Sequence, residues 1–366
     1  MNSASNCVKR RAVLFTAPGA VEVCTEEVAP PQGDELLVET VVSAISAGTE
    51  MLFYRGQVPA DMAADSSIEG LTDAVQYPLK YGYACVGRIC ETASPPSRQA
   101  ETAGAVGQPD AAGEEDSRYY FAFHPHESHF CASPRALLPV PEGMAQAQAA
   151  LLPNAETAVN LVMDGAPLVG ERVLVMGLGI VGLLTTALLA QFPLAALIAV
   201  DPLPQRRRIA LRLGASQAID PSGADGAEGL REALADAGER RGADLIFELS
   251  GQPRALDAAV SAAGFDNRIV VGSWYGTKPA TLQLGGSFHR NRVRLISSQV
   301  STVAPQLRGR WTKARRMESA WQLLAKLPAD ELISHRFPLE QAAEAYRLID
   351  SCPEQTLQVI LDYSFL

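Results

Sequence analysis

The sequence predicts an α/β fold, a doubly wound parallel sheet inserted into a second, β-rich domain. Three observations predict it. From about residue 145 to residue 298, short apolar strands alternate with segments of helical period, the pattern of a parallel sheet with crossover helices. On both flanks the apolar runs are β-branched and separated by turns rich in Gly and Pro. Between Val173 and Val200 an uncharged stretch of 28 residues carries three glycines near its start and Pro193 near its end. Such a run is long enough to span a bilayer. A strand, a tight glycine turn, a buried helix and a second strand produce the same run, and Asp201-Pro202 follows at once, so no membrane segment is expected.

The elements follow in order. Residues 11–23 and 35–45 read as antiparallel strands separated by the turn-rich APPQGD. Residues 56–76 are a polar connection with room for one short helix, and 81–90 a strand with two glycines. Residues 91–118 have almost no large apolar side chains and read as an insertion or loop. Strand character returns over 119–131. An alanine-rich helix over 145–164 then precedes the strand RVLVMG, and the alternation runs through LIAVD, RRRIALRLGA, ADLIFELSG, PRALDAAVSAAG and RIVVGSW. Helices are expected around 313–326 and 339–350, and the strand LQVILDY comes last. The expected division is 1–154 for the first part of the β-rich domain, 155–298 for the parallel sheet and 299–366 for the return of the first domain.

Composition narrows the function. A chain of 366 residues suits two domains, and 47% hydrophobic against 20% charged residues can fold without disulfides or a structural metal. The net charge of −10 lacks the basic footprint of a nucleic-acid binder and disfavours anionic membranes. Six cysteines without a C-x-x-C pair argue against a zinc ribbon or a secreted disulfide scaffold. No apolar core follows MNSASNCVKRR, so a cytoplasmic location is expected.

The motif with most chemistry is Gly177-Leu178-Gly179-Ile180-Val181-Gly182, a G-x-G-x-x-G directly after a strand and opening a helix. Its first glycine allows the tight turn, the second lets backbone approach a pyrophosphate, and the third lets helix pack on strand. The phosphates then meet free N–H groups at a helix N-terminus. Asp201, 19 residues after Gly182, ends the next strand, where a carboxylate would bind ribose hydroxyls and repel a 2′-phosphate. These features predict a bound dinucleotide, NAD before NADP. Arg206, Arg207 and Arg208 lie close enough to receive a phosphate, which keeps NADP as the alternative.

At this point the chain resembles the medium-chain dehydrogenase/reductase superfamily, the alcohol-dehydrogenase and quinone-reductase group. Ala47-Gly48-Thr49-Glu50 is similar to that family's C-G-T-D segment, and Gly82 to Gly87 to its G-H-E-x-x-G segment. FELSG, RIVVGSWYG and LISHRFPLEQAAEAY fit as well. Ser46 to Glu50, Gly56 with Pro59, and Tyr77 to Arg88 resemble the branch holding the bacteriochlorophyllide hydroxyethyl dehydrogenases. The resemblance implies a Rossmann domain inserted into a GroES-like catalytic domain, and a homodimer formed by extension of the Rossmann sheets. It also implies that Thr157, Ser250, Gly272 and Ser273 line the cofactor.

The departures concern metal. Zinc-dependent members draw a cysteine, a histidine and commonly a glutamate from those segments, where this chain has Ala47, Tyr83 and Ala84, and Pro153 or Asn154 at the next ligand region. The low-complexity stretch 91–118 stands where a four-cysteine zinc lobe would be. Tetrahedral zinc needs thiolate, imidazole or carboxylate, so no zinc is expected. Hydride transfer to a carbonyl builds negative charge on oxygen, and a hydroxyl donor must then stabilise it. Tyr83 is the first choice, Thr49 matches the family's relay hydroxyl, and Lys80 could lower the pKa of Tyr83 by folding back. Glu50 matches a supporting carboxylate that would hold Thr49 or a nearby arginine. His124, His126 and His129 of HPHESH could line a substrate pocket, bind metal or make structural hydrogen bonds, and Arg290, Arg292 and Arg294 could meet an anionic substrate.

The expected function is interconversion of a secondary alcohol and a ketone on a small or medium organic molecule, independent of zinc. One alternative is an NADPH-dependent reductase of conjugated double bonds, and another is a non-catalytic dinucleotide-binding protein.

Overall fold

The computed structural model describes residues 8–59, 75–92, 118–235 and 242–364. The chain forms two compact units, residues 1–151 with 333–366 and residues 152–332.

The first unit begins with the hairpin β1 (Val8–Ala17) and β2 (Ala20–Val28). The run read as one strand over 11–23 is broken by this turn, because Pro18 cannot donate to a ladder and Gly19 takes φ +77°. β3 (Leu36–Ile45) leads into the short helix α1 (Thr49–Tyr54). Then come β4 (Leu79–Lys80), β5 (Cys85–Thr92), β6 (Tyr120–Ala122), β7 (His129–Ala132), β8 (Leu138–Pro139) and α2 (Gln146–Ala149). Much of the 56–76 connection and nearly all of 91–118 lie outside the described residues.

The second unit starts with α3 (Leu152–Gly165). The single helix expected over 145–164 divides before it, since Pro153 has no N–H to continue the ladder from α2. There follow β9 (Arg172–Met176), α4 (Ile180–Leu189), β10 (Ala196–Val200), α5 (Pro204–Arg212), β11 (Gln217–Ile219), α6 (Gly223–Ala233) and β12 (Ala243–Glu248). The unit continues with α7 (Pro253–Ala262), β13 (Ala263–Val271), β14 (Arg294–Ser297), α8 (Lys313–Leu324) and α9 (Ala329–Leu332). Its six strands are all parallel in the order β11-β10-β9-β12-β13-β14, reversing direction between β9 and β12. This is the doubly wound dinucleotide-binding topology, whose ligand crevice lies at the carboxyl ends of the strands beside that reversal. The core is apolar on both faces of the sheet. Val173, Leu174, Val175, Ile198, Ile246 and Ile269 are each fully buried, at about 1.5–3 kcal/mol apiece relative to exposure.

The chain returns to the first unit through β15 (Ile333–Pro338), α10 (Ala342–Ser351) and β16 (Gln358–Asp362). β16 pairs antiparallel with β3, Ile360 opposite Ala44, in a seven-stranded sheet ordered β15-β16-β3-β5-β6-β8 with β7 on the same edge of β3 as β16. A separate three-stranded sheet runs β2-β1-β4.

The boundary expected at 298/299 falls instead at 332/333. The physical reason is Arg316 of α8, a fully buried guanidinium held by Glu156 and Asn160 of α3 and by the carbonyls of Val300 and Thr302. A buried charge needs its partners, so 299–332 packs with α3. Among the described residues no helix is long and apolar enough to cross a membrane.

Candidate active site

In the second unit the glycine loop joins β9 to α4. Gly177 takes φ +92°, and a β-carbon there would lie 2.5 Å from the Ser250 Cα at the end of β12. A β-carbon on Gly182 would lie 1.9 Å from the Gly177 carbonyl oxygen, so helix and turn meet with no space for a side chain. Gly179 is the reverse case. It is the N-cap of α4, has no side-chain cap, and a β-carbon would meet nothing within 4 Å. Ile180 and Val181 open the helix behind it, and their N–H groups are among those without an intrahelical partner. The loop therefore presents open backbone at a helix N-terminus, the cradle a pyrophosphate requires.

Asp201, 4% exposed at the end of β10, accepts the Leu178 N–H on Oδ2 and the Leu203 N–H on Oδ1, both at 2.8 Å. It ties the glycine loop to the start of α5 and keeps unused lone pairs on its oxygens. Arg206 Nη1 stands 4.0 Å from Asp201 Oδ2. Burial holds the Arg206 pKa below the usual guanidinium value, against the pull of Asp201. Arg207 donates to the Asp201 and Pro202 carbonyls at 2.7 Å and pairs with Asp220 at 2.9 Å, whereas Arg208 is exposed.

At the ends of β12 and β13 the fully buried Glu248 organises a second group. Its Oε1 accepts the Ser250 N–H at 2.9 Å and the Ser250 hydroxyl, and its Oε2 accepts the Tyr275 hydroxyl. Burial, and then Glu248, push the Tyr275 phenol well above its ordinary value. Ser273 Oγ accepts the Gly251 N–H at 2.9 Å, and the Gly272 N–H donates to the Glu248 carbonyl. Ser250, Gly272 and Ser273 are thus brought together. Thr157, on α3, donates its hydroxyl to the Pro153 carbonyl at 2.8 Å. Arg294 reaches Asp266 at 3.4 Å.

In the first unit the key side chain is Glu50, fully buried on α1. Its Oε1 accepts the Ser46 N–H at 2.8 Å, which closes the turn that carries Ala47 and Thr49. Among the described residues no arginine pairs with it. Its Oε2 instead faces His126 Nε2 at 3.0 Å and accepts the Tyr346 hydroxyl from α10. His126 Nδ1 lies 2.8 Å from Ser43 Oγ, which lies 2.9 Å from the Tyr363 hydroxyl. Thr49 is half-buried, and its N–H donates to Ser46 Oγ at 3.3 Å.

Tyr83 is half-buried beside the same group. It meets Tyr81 edge-on at 6.2 Å, Tyr81 stacks on Phe53 of α1 at 3.8 Å, and the His126 N–H donates to the Tyr81 carbonyl. Lys80 has a different place from the expected one. Its ammonium is taken by Glu26 at 2.5 Å and Glu127 at 2.9 Å, with Arg10 on the same two carboxylates, because β4 pairs with β1 and β1 in turn with β2. That cluster, Lys80 first, holds the Glu26 carboxyl below its usual range.

The three histidines diverge. They stand at or before the start of β7, with 123–128 outside any named strand. His124 stacks on Phe130 at 3.8 Å and His129 Nδ1 meets Ser128 Oγ at 3.1 Å. Among the described residues no three His, Cys, Asp or Glu side chains converge on a point. Ala47, Tyr83, Ala84 and Pro153 supply no thiolate, imidazole or carboxylate, so the donor set at these positions does not fit tetrahedral zinc.

Comparison with known proteins bears on the whole arrangement. The sequence model of the family "Zinc-binding dehydrogenase" matches residues 181–346. The D-guloside 3-dehydrogenase of Escherichia coli (strain K12) is 27% identical over 223 residues, 60% of this chain and 63% of that protein. The chain thus spans less than two thirds of that relative. The 2-desacetyl-2-hydroxyethyl bacteriochlorophyllide A dehydrogenase of Cereibacter sphaeroides is 26% identical over 377 residues, covering 97% of this chain and 99% of that one. Among solved structures, a short chain alcohol dehydrogenase from E. coli CFT073 in complex with NADH has a TM-score of 0.72 at 18% identity, over 97% of this chain and 99% of that one. Galactitol-1-phosphate dehydrogenase from E. coli has a TM-score of 0.71, also at 18% identity, over 96% of this chain and 99% of its own. Each of these matched proteins is named a dehydrogenase, and the two solved structures share the fold of this chain.

Proposed function

We propose that this chain uses a nicotinamide dinucleotide, NAD before NADP, to interconvert a secondary alcohol and a ketone without a catalytic zinc. The observation that carries the reading is the open glycine cradle at the N-terminus of α4, with Asp201 anchored beside it at the end of β10. The dehydrogenase names of its relatives, and the NADH in a structural neighbour, support the same chemistry. Gly177, Gly179, Ile180, Val181 and Gly182 would hold the pyrophosphate and Asp201 the ribose, with Ser250, Gly272 and Ser273 at the neighbouring strand ends. When bound, the nicotinamide accepts or supplies the hydride.

The remaining work falls to the first unit. Negative charge developing on the substrate oxygen needs a donor, and with Ala47, Tyr83 and Ala84 at the ligand positions that donor is the Tyr83 hydroxyl, assisted by Thr49. Lys80, already neutralised by Glu26 and Glu127, is left out of this scheme. The exposed Leu295 on the edge strand β14 supports a homodimer formed by sheet extension.

The test is a fluorescence titration of chelator-treated protein with NADH and NADPH, followed by a panel of secondary alcohols. NADH binding without metal, and turnover lost in Tyr83→Phe at unchanged NADH affinity, are the expected results. A preference for NADPH would move the phosphate site to Arg206 and favour reduction of conjugated double bonds. Binding of neither nucleotide would sink the reading.

A further inference from the structure

We infer that the alcohol handled by this chain carries a negative group, a carboxylate or a phosphate, and that Arg308, Arg310, Lys313 and Arg315 of the second unit bind it. The inference rests on the reading above and names the class of its substrate. Its starting point is an uneven spread of charge. The 51 residues from Asn267 to Met317 hold ten of the chain's 31 lysines and arginines and none of its 41 aspartates and glutamates. In a protein of net charge −10, a cationic stretch of that length makes a local field opposite to that of the whole.

Four of the ten are spent inside the fold. Arg316 is buried on Glu156, Arg268 pairs with Glu171, Arg294 with Asp266, and Lys278 donates to the Gly251 carbonyl. The other six are exposed, and among the described residues none of them pairs with a carboxylate. They fall at opposite ends of β14. Arg290 and Arg292 stand before it, at the amino ends of the strands, since β14 runs parallel to β13. That end is away from the ligand crevice, so the anion role expected for FHRNR does not fall there.

The other four follow β14, where the chain leaves the sheet at the crevice end. The Ser298 N–H donates to the Val271 carbonyl at 3.0 Å, one residue before Gly272. The carbonyls of Val300 and Thr302 then hold Arg316, so the start of α8 stays at that end. A tight turn lies between them, with the Leu307 N–H on the Ala304 carbonyl at 2.9 Å and the Trp311 N–H on the Leu307 carbonyl at 3.0 Å. Arg308 Nε donates to the Val303 carbonyl at 3.0 Å. Arg315 Nη1 donates to the Arg310 carbonyl at 2.7 Å, and its guanidinium lies over the Trp311 ring, 4.1 Å from the centroid. Each of these two guanidinium groups is anchored by one N–H and keeps its others for a ligand. Arg308 keeps both Nη groups, the fork that takes a carboxylate or phosphate through two hydrogen bonds. Lys313 and Arg315 also occupy the first turn of α8, where the helix dipole disfavours a cation. The fold thus gathers four like charges at a place where an anion relieves their repulsion.

Position selects the substrate over the cofactor's own phosphates. The strand order β11-β10-β9-β12-β13-β14 puts Asp201, at the end of β10, on one side of the glycine loop and the four cations, beyond β14, on the other. A dinucleotide bound across such a crevice with its adenosine ribose at Asp201 extends its reacting half toward β12 and β13. The cations then stand on the side of the reacting half, away from the ribose that would carry a 2′-phosphate. Charge at that place raises the encounter rate with an anionic alcohol and fixes which end of it faces the nicotinamide.

The experiment is a titration of the full chain, with and without NADH, by matched alcohols that differ in charge: 3-hydroxybutyrate against 1,3-butanediol, and glycerol 3-phosphate against glycerol. Tryptophan fluorescence reports binding, and Trp311→Phe, which keeps a ring under Arg315, identifies the signal. At least one anion should bind about tenfold or more tightly than its neutral partner, and the pair with the wider gap distinguishes carboxylate from phosphate. Added sodium chloride should narrow the gap, and a gap indifferent to salt overturns charge as its cause. The side chains of Arg310 and Lys313 make no hydrogen bond or ion pair among the described residues. The double variant Arg310→Gln/Lys313→Gln should therefore close most of the gap at an unchanged NADH affinity and urea midpoint. No gap in the parent, or a gap kept in the variant, overturns the inference and leaves the proposed function standing. A variant that loses affinity for NADPH alone would assign the cations to the cofactor's phosphate and overturn it as well. An anion gap in a chain that binds no NADH would overturn the substrate role together with the proposed function.

Discussion

The imidazole of His126 fills the space that a side chain at Gly82 would need. With φ at +115°, Gly82 has its Cα against the imidazole, and an added β-carbon would lie 2.6 Å from His126 Cδ2 and 2.7 Å from Nε2. The glycine that begins the segment resembling G-H-E-x-x-G thus makes space for a histidine that comes from another part of the chain. Gly82→Ala should cost about 2–4 kcal/mol, combining an unfavourable φ with overpacking. Urea unfolding of the two proteins measures it, and a difference under about 0.5 kcal/mol would contradict the contact.

The glycine loop should separate fold from binding. Gly179→Ala faces open space and should leave the unfolding midpoint in place while weakening NADH about tenfold, by about 1.4 kcal/mol. Gly182→Ala should lose both, because its β-carbon falls on the Gly177 carbonyl. Equal stability of the two variants would show the helix able to shift away from the turn.

Burial lowers the pKa of His124 and His129 beneath the ordinary 6.5. The folded chain then binds fewer protons than the unfolded chain just below pH 6.5. Their contribution to stability is present above that value and is lost as pH falls beneath it. His124→Phe keeps the stack on Phe130. It should show a smaller drop in urea midpoint between pH 7.5 and 5.5 than the parent. An unchanged drop would assign the effect to other groups.

Arg316→Met should destabilise by about 3–5 kcal/mol, since Glu156 is left as a buried carboxylate without its cation. Pairing it with Glu156→Gln should recover much of the loss. A double variant no better than the single one would mean that the hydrogen bonds to Val300 and Thr302 dominate.

What the sequence showed was local. The strand β9, the glycine motif, the helix it opens and Asp201 lie within 30 residues of one another, and period and turn chemistry suffice to read them. The Glu50–His126–Tyr346 group joins positions 76 and 296 residues apart, and only the pairing of β16 with β3 and the return of α10 brings them together. A signal for Tyr346 did exist. In QAAEAY it follows Ala342 and Ala345 at helical spacing on the buried face of α10. Lys80 misled because its distance from Tyr83 in sequence is short, whereas β4 gives its ammonium to carboxylates on β2 and near β7. Arg316 looked like any charged residue on an amphipathic helix, and nothing nearby in sequence marks it as fully buried.

The guanidinium of Arg316 also sets where this protein can be divided. A fragment ending at 298 would keep Glu156, Asn160 and every strand of the parallel sheet yet strand a carboxylate in apolar surroundings, whereas 152–332 carries the whole network with it. The portable parallel-sheet module is therefore the longer piece, and grafting or swapping of this unit between related chains should cut at 151/152 and 332/333.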